Sequence, residues 1–82
     1  MVKAEFHLHF EKAFDKIRDR GVQERILKLL EKIREMPDIG KPMSFQRKGT
    51  REVYVPPFRL SYAYFPEEQK VIFLDLYHKD EQ

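Results

Sequence analysis

The residues of this sequence with usable chemistry are cations and phenols. Arg59, Tyr54, Tyr77 and Lys79 fall on matching alternate positions of three stretches that read as neighbouring strands. Lys41, Arg47, Lys48 and Arg51 stand in a basic block before and within the first of them. Guanidinium and ammonium groups stabilise developing charge on phosphate oxygens through charge-assisted hydrogen bonds. A Tyr, Lys or His drawn toward neutral pKa by nearby cations can move a proton, and aromatic rings stack on splayed bases. RNA supplies its own nucleophile, the 2′-OH, so such a set needs neither a metal nor a cofactor to bind or cut it. The same residues also fit a plainer role, with Tyr54 and Tyr77 as ordinary sheet aromatics and Arg59 paired to Asp75 or Glu52.

Other chemistries find little support. The sequence has no Gly-rich phosphate loop, no Cys/His metal spacing and no nucleophile elbow. His7 and His9 in "HLH", with Glu5 nearby, read as exposed polar residues of a strand edge rather than metal ligands. Zero cysteines exclude disulfides and thiolate chemistry. No apolar run approaches the ~18 residues of a membrane span, and "MVKAEFHLHFEK" lacks a signal-peptide core, so a soluble cytoplasmic protein is expected.

The net charge of +2 hides an uneven distribution. Residues 1–39 carry nine Lys/Arg against eight Asp/Glu, residues 40–59 five against one, and residues 60–82 two against five. The central excess is the kind of footprint left by a phosphate-bearing partner, though a solvated basic loop has the same composition.

Eighty-two residues support one domain spanning 1–82, with about 60% of the unfolded surface buried. Residues 2–9 alternate, with Val2, Ala4, Phe6 and Leu8 on one side, which predicts a half-buried strand. From Phe10 the period becomes helical, with Phe10, Ala13, Phe14 and Ile17 on one stripe and Gly21 as a stop. A second helix over 22–36 buries Val22, Ile26, Leu29, Leu30, Ile33 and Met36. Pro37, Gly40 and Pro42 open a loop. Strands follow over 51–55, 58–65 and 70–77, with "PEEQ" as a turn. The expected fold is α+β: strand, two-helix hairpin and three-stranded antiparallel meander, in one sheet packed on the helices. Alternation assigns Val53, Val55, Leu60, Tyr62, Tyr64, Ile72, Leu74 and Leu76 to the core. It assigns Glu52, Tyr54, Arg59, Ser61, Ala63, Val71, Phe73, Asp75, Tyr77 and Lys79 to the open face. Between the first two meander strands, "PP" predicts a tight turn with Pro57 cis; a wide loop with both prolines trans is the competing form.

This layout resembles the RelE/ParE toxin superfamily, in its RelE- or HigB-like branch. "FRLSYAYF" is similar to that family's aromatic-Arg-aliphatic-x-Tyr strand, with Arg59 and Tyr62 at the matching positions. "VIFLDLYHKDEQ" is similar to its closing Leu-x-x-Tyr-x-Lys-Asn-Glu pattern, with Leu74, Tyr77, Lys79, Asp80 and Glu81 in those places. The resemblance implies a type II toxin–antitoxin toxin: a ribosome-dependent, metal-independent messenger RNA endoribonuclease restrained by a cognate antitoxin, with a heterotetramer among the expected assemblies. It implies that Arg59 stabilises the transition state and that Lys79 adds a second cation. Lys48 and Arg51 would hold RNA or ribosomal backbone, with Arg47, Lys41 and His78 as further contacts. Tyr54 is first choice for stacking or proton transfer and Tyr77 second; His78 ranks lower because its parity is core-side. RelE itself usually has basic residues where this sequence has Glu52 and Tyr54, and a late Tyr where this one ends at Gln82. A ParE-like gyrase poison and a non-catalytic RNA- or antitoxin-binding module are the alternatives.

Overall fold

Strand β1 (Lys3–Phe6) is shorter than alternation predicts, because His7 ends it. The His7 ring nitrogen Nδ1 accepts the His9 backbone N–H at 3.1 Å and so caps helix α1 (Leu8–Asp15). The "HLH" imidazoles therefore belong to a helix start and not to a strand edge. The computed structural model describes residues 1–43 and 49–78.

Gly21 is not a helix stop. Helix α1 ends at Asp15, and Asp19 caps helix α2 (Arg20–Glu35) by accepting the Val22 N–H at 3.2 Å, which leaves Gly21 in the first turn of α2. Along α2, Val22, Ile26, Leu30 and Ile33 are buried, as their spacing predicts, while Met36 lies beyond the last turn and is exposed.

The remaining elements are strands β2 (Lys41–Pro42), β3 (Thr50–Val55), β4 (Phe58–Phe65) and β5 (Lys70–His78). A 3-10 turn over Pro66–Glu68, closed by Gln69 at φ 49°, joins the last two. The sheet order is β1-β5-β4-β3-β2. β1 runs parallel to β5, and the other neighbours are antiparallel. The α+β layout is thus the expected one, with β1 in the same sheet and the short β2 added at its far edge. Val55 pairs with Phe58 around the Pro56–Pro57 turn, whose peptide bond is cis.

The face assignment holds in β3 and β4 and fails in half of β5. Val71 and Phe73 are fully buried and Leu76 is 3% exposed, whereas Ile72 and Leu74 are only half-buried. The reason is a bulge: Ser61 pairs with Asp75 and Tyr62 with Phe73, so Leu74 has no opposite number on β4. One extra residue reverses the alternation. Val71 and Phe73 join the core, and Asp75 and Tyr77 still turn to the open face.

The core joins Phe10, Ile17 and the buried stripe of α2 to Val55, Leu60, Tyr62, Val71, Phe73 and Leu76. Tyr62 is its polar keystone. Its hydroxyl donates to the Pro37 carbonyl at 2.7 Å and accepts the Gly40 N–H at 2.9 Å. A side chain at Gly40 would meet that hydroxyl at 2.7 Å, so the close approach requires glycine. Burial pushes the Tyr62 phenol above its ordinary 10.0, against the opposing pull of the Gly40 N–H and Arg51. Tyr62→Phe leaves both loop groups unpaired and should cost about 1–3 kcal/mol, read as a lower urea midpoint. A raised folded-state value means that the unfolded phenol ionises first. The wild-type advantage should therefore be complete below pH 10.0 and shrink as pH rises through the folded value.

Candidate functional site

The sheet face away from the helices carries two cross-strand rows. Tyr54, Arg59 and Tyr77 stand side by side on β3, β4 and β5. Next to them run Lys41, Glu52, Ser61 and Asp75 on β2 to β5. Three of the four residues expected to do chemistry, Arg59, Tyr54 and Tyr77, are thus adjacent, and Lys41 lies on the same face at the sheet margin. Lys79, Arg47 and Lys48 fall outside the described residues.

The centre of this arrangement is an anion. The Glu52 side chain is 7% exposed, with Oε1 lying 3.7 Å from Arg59 Nη1. The Tyr77 hydroxyl donates to Oε2. A carboxylate this deep requires compensation, and a guanidinium plus a phenol provide it. The Arg59–Glu52 separation exceeds hydrogen-bond length, so the pairing is one of charge and does not use up the guanidinium donors. Arg59 Nε is closed off from solvent without a hydrogen-bond partner among the described residues, and the side chain as a whole is 40% exposed. Its guanidinium carbon sits 5.8 Å from the centre of the Tyr54 ring, which is itself exposed.

The other expected contacts lie elsewhere. Arg51 has the parity of Val53 and Val55, opposite to Arg59, and donates from Nη1 to the carbonyls of Asp38 at 2.9 Å and Gly40 at 2.8 Å. It fastens the loop that Tyr62 also holds. His78 lies on the helix side, edge-on to Phe58 at 5.7 Å between ring centres. Glu52 is the functional residue that charge counting passes over. Its signal was its parity with Tyr54, which puts the one anion of the basic block directly beside Arg59.

The family model for the ParE toxin of type II toxin–antitoxin systems, parDE, matches residues 4–82. The chain belongs to this family of toxins. Among solved structures, it superposes on the intact E. coli RelBE toxin–antitoxin complex with a TM-score of 0.82 at 20% identity, covering 100% of both chains. It superposes on a YoeB/ParE toxin from Agrobacterium tumefaciens with a TM-score of 0.83 at 15% identity, over 94% of this chain and 98% of that one. An archaeal RelE–RelB complex from Pyrococcus horikoshii gives 0.78 at 13% identity, over 99% and 98%. At these identities the superpositions establish the fold. A search by sequence among curated proteins gives no significant match.

The Glu52–Tyr77 contact is testable by a double-mutant cycle in urea unfolding. Glu52→Gln and Tyr77→Phe should couple by about 0.5–3 kcal/mol. Strict additivity would show that the carboxylate does not hold the phenol.

Proposed function

We propose that this toxin is a ribosome-dependent, metal-independent endoribonuclease acting on messenger RNA. The observation that supports it is Arg59: a guanidinium on a side chain 40% exposed, positioned by a carboxylate at charge-pairing distance rather than hydrogen-bond length. In the step envisaged, a ribose 2′-oxygen attacks the adjacent phosphorus and loses its proton to a base. The bond to the 5′-oxygen breaks, and that oxygen takes up a proton from water, leaving a cyclic 2′,3′-phosphate and a 5′-hydroxyl. Arg59 stabilises the phosphorane, with Lys79 as the second cation. Tyr77 is favoured over Tyr54 for proton transfer, because its hydroxyl is already joined to Glu52, which can accept the proton that the phenol passes on. Tyr54, beneath Arg59, suits stacking on a base.

The partner that restrains the activity is read as an antitoxin covering this face, since the E. coli and Pyrococcus horikoshii neighbours were solved as complexes of that kind. A second reading, gyrase poisoning, draws on the ParE description of the matching family and on Glu52, which offsets the charge of Arg59.

Messenger RNA cleavage in a reconstituted translation system separates the two. Wild type should cut on the ribosome. Arg59→Ala should lose roughly a hundredfold to a thousandfold in rate, and Lys79→Ala should also be impaired. A folded wild type that leaves messenger RNA intact and blocks DNA supercoiling by gyrase would establish the second reading.

A further inference from the structure

Helix α1 separates its charges. Glu11 and Asp15 line an apolar groove with Phe6, Phe14 and Leu27, whereas His9, Lys12 and Lys16 line a cavity of about 500 Å3 on the other side. Positions 9, 12 and 16 share one helical face. The opposite wall of that cavity is Phe58 and Leu76 on the helix side of the sheet, with Asp75 and Tyr77 of the other face reaching it at the free edge of β5. It exists because β1 pairs with β5 only as far as Phe6 opposite Phe73, so the next residues of β5 have no strand on that side among the described residues. Tyr77 belongs both to this wall and to the row containing Arg59.

We propose that this cavity is a nucleotide subsite of the RNA, one step along the strand from the phosphate at Arg59. The inference rests on the endoribonuclease reading and deepens it. Lys12 and Lys16 are exposed, and neither has a carboxylate within ion-pairing distance among the described residues. Two free ammonium groups across the mouth of the cavity hold one phosphate. Phe58, half-buried, offers its ring to the base. Asp75 selects it. One carboxylate oxygen accepts the Leu76 N–H at 2.8 Å, which fixes the group and leaves lone pairs for a base edge. A fixed carboxylate accepts from the exocyclic amino groups of cytosine, adenine or guanine, whereas uracil has no amino group and offers only N3–H, flanked by the repelling carbonyl oxygens O2 and O4. A ring and a fixed acceptor beside two cations match the base and phosphate of a nucleotide, whereas an acidic peptide brings no base to fill the cavity. A cavity of this volume is ample for one nucleotide.

The test maps cut sites in the translation assay for wild type, Lys12→Ala/Lys16→Ala and Asp75→Asn, with antitoxin-peptide binding measured in parallel. Wild type should disfavour uracil at one position flanking the cut, by roughly fivefold to a hundredfold. Asp75→Asn keeps an acceptor for the Leu76 N–H and adds a donor, so it should shift that position toward uracil. The lysine pair should lower cutting by roughly tenfold or more with site preference retained. Unchanged melting temperatures would confirm that both variants fold. Wild-type cutting at unaltered sites and rates in both variants would overturn the subsite and leave the nuclease reading standing. A lysine variant that cuts normally but loses the antitoxin peptide would assign the cavity to a protein partner instead. No cutting by wild type would overturn both readings together.

Discussion

A single unpaired residue, Leu74, sets the architecture of both faces of the sheet. β5 must supply Val71 and Phe73 to the core, where they are fully buried, and Asp75 and Tyr77 to the open face beside Ser61 and Arg59. All four positions are odd, and a regular strand would send them the same way. Without the bulge, either a carboxylate and a phenol would enter an apolar core or Phe73 would leave it. The second outcome would dissolve the aromatic cluster in which Phe73 meets Phe6, Phe10 and Tyr62 at 5.3, 5.9 and 6.2 Å. The bulge lets one strand satisfy both demands, which matches the frequent occurrence of bulges beside functional sites.

Parity also explains why two arginines so near each other have different roles. Arg51 and Arg59 lie on paired strands, and Arg51 points to the face that Tyr62 occupies. There it finds backbone carbonyls and spends its donors on them. Arg59 finds Glu52, a partner that balances its charge without taking its hydrogen bonds. A carboxylate at this distance holds a cation in place, while a closer and bidentate one would consume it. Arg59 and Tyr77 both compensate the buried Glu52, so the three groups position one another.

Local patterns announced most of the scaffold. The α2 stripe has the right spacing, β3 and β4 alternate cleanly, and "PP" between them marks a tight turn. Those signals reside in consecutive residues, so the sequence alone exposes them. The phase of β5 is different. "VIFL" is apolar at both parities, so nothing local says which pair goes inside; pairing with Tyr62 decides it. His7, read as a strand-edge residue, was ambiguous for a related reason. A polar residue before an apolar stripe fits a strand edge, a turn or a cap, and only the direction of the following chain selects the cap. The Arg59–Tyr54–Tyr77 row was legible because it needs only alternation and strand order. Parity allowed Arg59 to pair with Asp75 or Glu52; that Glu52 is the partner, buried and joined to Tyr77 as well, emerges only from the folded geometry.

The short first strand has the largest consequence for the site. β1 stops at Phe6 because His7 caps α1, and the chain leaves the sheet edge for a helix that packs against β5 through Phe10 and Phe73. An exposed strand edge is usually a liability for aggregation. Here the Asp75 carboxylate occupies the Leu76 N–H, and α1 stands alongside with two lysines. The edge is thereby made unattractive to another strand while remaining open to a charged ligand. One capping histidine thus determines where the sheet ends, and the place where it ends adjoins Tyr77.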